Sequence, residues 1–326
     1  MNRSEPLAVQ PAESQKLSRP SGFKTASIAV GLNGEAIRLL VPGVYADALI
    51  GRTEQPGWAS FPKTHTDIEY SAIVSISDGS ITREVRLFGL TETFPKIDVL
   101  PEREILIVAP RCFRSGDGSH EPNATVYDRN GRQQRKFFLG DGIEHVQTDG
   151  NGNIWVGYSD EGVYGNFGWQ SADARVGVAG LSCFSRRGQK MWDFQPPEGC
   201  DHISDCYALN VTNNGAWACY YTDFPIVFID SDWRIRAWRT EITGGRALAV
   251  DRGKVLVYGG YREQRTRCSL LDLEGSSAQT VADVSLALPY HVDISSATVL
   301  GRGGDLHVFD DDTWYRFSSD SLERIT

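Results

Sequence analysis

The sequence contains no run that approaches the roughly 18 apolar residues of a membrane-spanning helix. Methionine occurs only twice, whereas glycine occurs 33 times and proline 14 times, a composition that favours many turns over long helices. The first ten residues also lack the apolar core of a secretory signal peptide. These absences disfavour a membrane protein, a helical bundle and an exported protein, so we expect a cytoplasmic location and no membrane partner.

Positive charge is scarce as well. The chain has 33 Lys and Arg against 42 Asp and Glu, which gives a formal net charge of −9. A nucleic-acid-binding surface needs a stripe of basic residues, because its affinity comes largely from phosphate contacts. The basic run at 132–136 is typical of the solvated side of an outer strand. We therefore predict a monomer with no nucleic-acid partner.

The familiar nucleophile and nucleotide motifs are missing too. There is no Gly-x-Ser-x-Gly, no His-Glu-x-x-His and no glycine-rich phosphate loop. In a chain of this size without an export signal, the cysteines are expected to be buried thiols rather than disulfides. The spacing of Cys200, His202 and Cys206 fits no common structural-zinc pattern. The six cysteines are Cys112, Cys183, Cys200, Cys206, Cys219 and Cys268.

What the sequence does contain is a repeat: an apolar strand, a tight polar turn and a second apolar strand. Its five copies begin at Ile97, His145, Tyr207, Ala247 and Thr298. The starts lie 48, 62, 40 and 51 residues apart, which is the spacing expected of four-stranded propeller blades with loops of unequal length.

A second signal recurs in phase with the first. Turns that open with an acidic or hydroxyl residue, and often close with glycine, fall where third and fourth strands would meet. A pair of β-sandwiches would show no phase of about 50 residues. We therefore predict an all-β single β-propeller of six four-stranded blades over 23–326. The turns are Asp128–Gly131, Ser185–Gly188, Asp230–Trp233 and Asp272–Gly275.

The residues before this propeller lack periodicity. Residues 1–22 are polar and rich in Ser, Pro and Glu, and are expected to form a flexible N-terminal tail. The last five residues, 322–326, are few for a strong strand. Because an unpaired edge must be covered, we expect Ser21–Lys24 to lie at the outer edge of blade six.

One turn carries a family resemblance. The stretch Asp149–Val156, Asp-Gly-Asn-Gly-Asn-Ile-Trp-Val, resembles the strand–turn–strand of the NHL, virginiamycin-lyase-like and SMP-30/gluconolactonase-like propellers. This resemblance implies the propeller fold. The gluconolactonase-like enzymes further imply a divalent metal held by Glu, Asn and Asp at the central axis, but that ligand set has no residue-by-residue counterpart in this sequence.

Three long connections between second and third strands fall in neighbouring blades one to three, at Pro42–Ile68, Pro110–Asn123 and Ser159–Ala179. Long connections in compact domains are commonly functional. The third contains the glycine-aromatic stretch Gly162–Trp169, whose flat side chains suit a binding surface. We therefore predict a binding module that recognises a protein or small-molecule ligand with this face. The candidate contact residues are Asp160, Glu161, Tyr164, Phe167, Trp169, Trp58, His65 and His120.

The alternative is a metal-dependent hydrolase, lactonase-like, or a lyase with its site at the axial mouth. Connections that enter first strands carry histidines and carboxylates that are able to act as acid–base groups or to hold a divalent metal such as Ca, Mg or Zn. The catalytic candidates are His145, His202, His291 and Glu144, and the metal-ligand candidates are His145, His202, Asp205, His291 and Asp293. Both hypotheses stay open at this stage.

Overall fold

The structure is a computed structural model that describes residues 6–52, 60–166 and 168–318. Six β-sheets account for nearly all of the regular structure, which confirms the predicted all-β class with six four-stranded propeller blades. Among the described residues, no helix is long and apolar enough to cross a membrane. The helical segments are single turns at Gly43–Tyr45, Ala46–Leu49, Pro101–Arg103, Asp160–Tyr164, Ala172–Ala174 and Arg262–Gln264.

The chain divides into two compact units. The blade 1–3 unit is Arg19–Phe194, and the blade 4–6 unit combines Met1–Ser18 with Gln195–Thr326. Each unit holds three sheets.

In the blade 1–3 unit, each blade is a meander of four consecutive antiparallel strands. Blade one consists of Phe23–Val30, Ala36–Pro42, His65–Ser77 and Thr82–Glu92. Blade two consists of Lys96–Leu100, Glu104–Val108, Ala124–Tyr127 and Gln133–Phe137. Blade three consists of Ile143–Thr148, Ile154–Tyr158, Leu181–Phe184 and Lys190–Asp193.

The core of this unit follows from the two-residue period of a strand. Ile105 and Ile107 point to one side and pack in the cluster shared with blade one, whereas Leu106 and Val108 point to the other and pack in the cluster shared with blade three. The second strand of blade two is therefore buried on both faces, and its sequence is continuously apolar rather than alternating.

In the blade 4–6 unit, two sheets take a strand from the N-terminus. Leu7–Val9 pairs in parallel with the last strand of blade five, and Glu13–Lys16 pairs antiparallel with the last strand of blade six. Blade four consists of Asp205–Thr212, Gly215–Tyr221, Ile226–Asp230 and Ile235–Trp238. Blade five consists of Ala247–Asp251, Lys254–Tyr258, Cys268–Glu274 and Ser277–Leu286. Blade six consists of Thr298–Arg302, Asp305–Asp310 and Thr313–Ser318 with Glu13–Lys16 as its outer strand.

These N-terminal strands correct the expectation of a flexible tail over 1–22. Val9 and Leu17 are buried, and the edge of Thr313–Ser318 is covered by Glu13–Lys16 rather than by Ser21–Lys24. Phe23 instead begins the first strand of blade one. The sequence signal is weak because a polar edge strand is held by backbone hydrogen bonds, which leave no hydrophobic period. The fourth strand expected near 322–326 lies outside the described residues.

Candidate ligand site on the long-loop face

The connections between second and third strands differ in length as the sequence predicts. In blades one to three they cover 43–64, 109–123 and 159–180, whereas in blades four to six they cover only 222–225, 259–267 and 311–312. We call the described residues of the three long connections the long-loop cluster. Its members all belong to the blade 1–3 unit.

Side-chain contacts join these three connections to one another. His65, where the first connection enters its strand, places Nε2 3.1 Å from Oε2 of Glu121 in the second. Trp169 in the third donates a hydrogen bond from Nε1 to the carbonyl oxygen of Cys112 in the second, at 2.7 Å. The long-loop cluster is thus one packed assembly.

Trp169 is the internal anchor of this assembly. Its side chain is only 4% exposed, its ring stacks on Phe138 at 5.2 Å, and the His120 ring lies 5.4 Å away. The chain turns back at Gly168, where a Cβ would come within 2.0 Å of the Arg114 carbonyl oxygen, so only glycine fits. Trp169 therefore supports the surface from below and does not offer its ring to a ligand, contrary to the expected contact role.

Four further contact candidates from these connections divide into two groups. Tyr164 is 54% exposed and Asp160 is exposed, so both remain available for contact. Phe167, together with Trp58 of the first connection, lies outside the described residues.

A buried ion-pair network fixes the inner side of the cluster. The guanidinium group of Arg111, 4% exposed, donates from Nε and Nη2 to the two carboxylate oxygens of Asp141 at 2.9 and 3.0 Å, and Nη1 pairs with Glu161. The backbone N–H of Cys112 donates to the same Asp141 carboxylate at 2.7 Å. Burial raises the pKa of Asp141, and the hydrogen bonds from Arg111 oppose that effect.

A single buried amide closes the base of the second connection. Asn123 Nδ2 donates to the carbonyl oxygens of Ala109 and Gly140, and its Oδ1 accepts from the backbone N–H of Leu139. Both donors and the acceptor of the amide are used, so this base is held in one geometry.

Beside this base, residues at the end of the first connection and in the second connection line an open cavity of about 370 Å³, which we call the long-loop cavity. Its volume falls in the range of roughly 300–1,000 Å³ typical of small-molecule sites. Two predicted contact residues, His65 and His120, line it. The full lining is Thr64, His65, Arg111, Cys112, Phe113, Ser115, Ser119, His120, Glu121, Pro122 and Asn123.

The thiol in this cavity belongs to Cys112 and is buried. Burial, with a smaller contribution from Asp141, raises the pKa of Cys112 to about 12, so the thiol stays protonated at neutral pH. Its Sγ donates to the Glu121 carbonyl oxygen at 3.3 Å. All six cysteines lie in the described part of the chain; none forms a disulfide, and five of them are buried, as predicted.

The residues of the enzymatic alternative are distributed over both units. Glu144 and His145 belong to the first strand of blade three, whereas the other four belong to the blade 4–6 unit: His202, Asp205, His291 and Asp293. In the part of the chain that is described, no three His, Cys, Asp or Glu side chains are grouped to hold a metal ion.

The structure identifies site residues that were not predicted from the sequence. Arg111 and Asp141 pair across 30 positions, and Glu121 joins His65 across the cavity. One sequence feature could have identified Arg111: it directly follows the apolar run 105–110. Because the strand in that run is buried, a charge placed directly after it needs a partner of opposite charge.

Comparison with known proteins gives one partial family match and distant structural similarities. Residues 176–263, about a quarter of the chain, match the YxzG family. No curated protein sequence matches the chain significantly.

Three of the similar solved structures share 10–13% sequence identity with this chain. Virginiamycin B lyase from Staphylococcus aureus is 10% identical, with 94% of this chain and 98% of that chain covered and a TM-score of 0.43. A gluconolactonase from Xanthomonas campestris is 12% identical, with 98% of each chain covered and a TM-score of 0.42. YCF48 bound to a D1 peptide is 13% identical, with 97% and 98% covered and a TM-score of 0.45. The propeller fold that the predicted resemblance implies is shown by the six sheets themselves.

Proposed function

We propose that the protein is a binding propeller that recognises a small, polar, uncharged ligand in the long-loop cavity. The observation that carries this proposal is a cavity of ligand size in which Arg111 is already paired with Asp141 and Glu161 and His65 already contacts Glu121, while the His120 imidazole and hydroxyl groups line the rest.

The electrostatics of the lining disfavour an ionic ligand. Arg111 is compensated by two carboxylates, Asp141 and Glu161, and Nε2 of His65 lies 3.1 Å from Glu121. An anion that paired with Arg111 would have to displace Asp141 or Glu161, and displacing Asp141 would leave its buried carboxylate unpaired. Neutral hydrogen-bonding groups face no such penalty.

The shape of the lining favours a flat or ring-shaped ligand. The exposed ring of His120 is backed by Phe138 at 4.1 Å and by Trp169 at 5.4 Å. A ring held in this way loses little side-chain entropy when a ligand stacks on it. Ser115 and Ser119 add hydroxyl groups beside it.

Thermal-shift and calorimetric titration with a library of neutral polyols, saccharides and amides tests the proposal. We expect at least one compound to bind, and His120→Ala to weaken it about ten-fold through loss of the stacking face. Tyr164→Ala, which removes an exposed ring of the same cluster outside the cavity lining, is the matched control and should bind as the parent does. Equal affinity in the parent and His120→Ala proteins would refute the site.

We also propose, as the sequence leads us to expect, that the protein is a monomer that acts in the cytoplasm without nucleic-acid or membrane partners. Sedimentation of the purified protein tests the first point. A dimer at micromolar concentration would contradict it.

A further inference from the structure

Positive charge is concentrated on one part of the blade 1–3 unit, at the outer strand of blade two and the adjacent turn of blade three. The segments 129–137 and 185–190 together hold seven Lys and Arg and no Asp or Glu, although the whole chain carries a net charge of −9. We call these two segments the basic edge. We propose that the basic edge binds an acidic segment of another protein, which adds to blade two as a fifth strand. This proposal is independent of the long-loop cavity.

The two segments of the basic edge are in direct contact. The Nε of Arg135 in blade two donates a hydrogen bond to the carbonyl oxygen of Arg186 in blade three, at 2.9 Å. A Cβ at Gly188 would lie only 2.3 Å from Cγ of Phe137, so the blade three turn lies against this ring as closely as glycine permits. The charges of both segments therefore belong to one surface.

Two arginines of the basic edge are already neutralised by carboxylates. Glu104 accepts hydrogen bonds from Nη1 and Nη2 of Arg135 at 2.8 and 2.7 Å, and from Nη2 of Arg186 at 3.1 Å. Glu102 contacts the same Arg186 at 3.2 Å. These pairs fix the positions of the two segments relative to each other, and both carboxylates are used within them.

Four other cations of the basic edge are exposed and form no ion pair with a described carboxylate. Asp128 opens the blade two turn, accepts two backbone N–H bonds of that turn at 2.8 and 2.9 Å, and offsets part of the neighbouring positive charge. One carboxylate among four cations leaves positive charge in excess. The four are Arg129, Arg132, Lys136 and Arg187.

The backbone beside these charges is an open sheet edge. Gln133–Phe137 is the last strand of its sheet, and no described strand pairs with its outer side. In blade five, the corresponding strand is joined by Leu7–Val9 as a fifth strand of only three residues. A short segment held by backbone hydrogen bonds is thus able to extend a blade of this protein, and strand addition is a common mode of peptide recognition.

The charge of the edge selects what is able to pair with it. Like charges on neighbouring strands repel each other, so an identical edge or a basic strand is disfavoured and an acidic strand is favoured. A nucleic acid would need exposed aromatic rings on which its bases could stack, whereas Phe137, the aromatic residue of this strand, is covered by Gly188. The combination of an open edge and unpaired cations therefore fits an acidic polypeptide.

Binding of a fluorescently labelled ten-residue peptide of alternating Glu and Thr, measured by anisotropy at low ionic strength, tests the proposal. We expect saturable binding and slower hydrogen exchange of backbone amides in 133–137, because the added strand accepts hydrogen bonds from them. The triple variant Arg132→Gln, Lys136→Gln and Arg187→Gln should weaken binding at least ten-fold. Its melting temperature should match that of the parent, because the three side chains are exposed and form no ion pair with a described carboxylate.

The matched control removes the same charge from the blade 4–6 unit. Arg246→Gln, Arg262→Gln and Arg265→Gln replace three exposed arginines that also form no ion pair with a described carboxylate, and this variant should bind the peptide as the parent does. An equal loss in both triple variants would mean nonspecific charge attraction and would contradict the proposal.

Three further outcomes would also overturn it. Peptide binding that leaves hydrogen exchange in 133–137 unchanged would exclude strand addition. Tighter binding of a ten-nucleotide oligothymidylate than of the peptide would exclude an acidic polypeptide as the preferred partner. Absence of saturation below about 1 mM peptide would exclude the site.

Discussion

The blade 1–3 unit and the blade 4–6 unit are built from the same four-stranded sheets but obtain their strands differently. Every strand of the blade 1–3 unit follows its neighbour along the chain. The blade 4–6 unit takes Leu7–Val9 and Glu13–Lys16 from the N-terminus, and pairs Glu13 with Arg316 some 300 positions later.

The units also differ in what their connections do. In the blade 1–3 unit the long connections form a cluster around a cavity, whereas the corresponding connections of the blade 4–6 unit are short. The comparison teaches that the two units are stabilised by different means: pairing with N-terminal strands in the blade 4–6 unit, and a buried charge network beneath packed loops in the blade 1–3 unit. Substitutions in one unit are therefore expected to act through a different mechanism from those in the other.

The largest effect is expected from deleting residues 1–18. The deletion removes both borrowed strands, exposes the edge of Thr313–Ser318 and uncovers the core side chains that Val9 contacts. We expect the melting temperature to fall by ten degrees or more, roughly the effect of losing several kcal/mol, and hydrogen exchange to increase first in blades five and six.

The control for this deletion keeps the backbone and removes only exposed side chains. Glu13→Ala with Ser14→Ala should melt close to the parent, because both side chains are exposed and the strand hydrogen bonds stay. A flexible tail would give no change on deletion, so a parent-like melting temperature of the shortened protein would contradict the strand assignment.

The next effect concerns the charge network of the blade 1–3 unit. Asp141→Asn removes the carboxylate that accepts two hydrogen bonds from the buried Arg111, and should cost about 3–5 kcal/mol in the free energy of unfolding by urea. The double substitution Arg111→Met with Asp141→Leu removes both charges of the pair and should cost less. A loss below about 1 kcal/mol for Asp141→Asn would show that the network does not hold the cluster.

A smaller, pH-dependent effect belongs to the blade 4–6 unit. His307 is fully buried, and its Nδ1 accepts a hydrogen bond from Nε1 of Trp314 at 3.1 Å. Burial, assisted by the positive charges of Arg316 and Arg302, lowers the pKa of His307 from 6.5 to about 3. Below pH 6.5 the unfolded chain therefore takes up a proton that the folded protein does not.

The stability that neutral His307 contributes is therefore complete above pH 6.5 and is lost by about 1.4 kcal/mol per pH unit as pH falls toward 3. His307→Gln keeps a hydrogen-bond acceptor but does not titrate, so its stability should fall less steeply over this range. Urea unfolding at several pH values measures both slopes. Parallel curves for the parent and the variant would contradict the assignment.

The fold was largely predictable because its signals are local. The alternation of Ile105, Leu106 and Ile107 between two core clusters and the turn after Asp149 follow from strand period and turn chemistry, which act within a few residues. The unequal lengths of the connections likewise predicted which unit carries the long-loop cluster.

The site was less predictable because its determinants are distant in sequence. Glu161 pairs with Arg111 across 50 positions, and Trp169 finds the Cys112 carbonyl oxygen across 57. From sequence alone, an aromatic residue beside glycines is equally consistent with an exposed contact surface and with a buried anchor. Its packing against Phe138 and His120 shows that Trp169 is a buried anchor. Glu13–Lys16 lacked any pattern, because backbone pairing alone makes it a strand.

The most direct test of the account uses the histidines as reporters, since they are distributed over both units. Imidazole resonances of ¹⁵N-histidine-labelled protein would be followed by NMR during titration with the neutral compound that binds best. We predict shifts of His65 and His120, which line the long-loop cavity, and none at the other four positions, His145, His202, His291 and His307. Shifts confined to His145, His202 or His291, with His65 and His120 unmoved, would contradict recognition at the long-loop cavity and favour the enzymatic alternative.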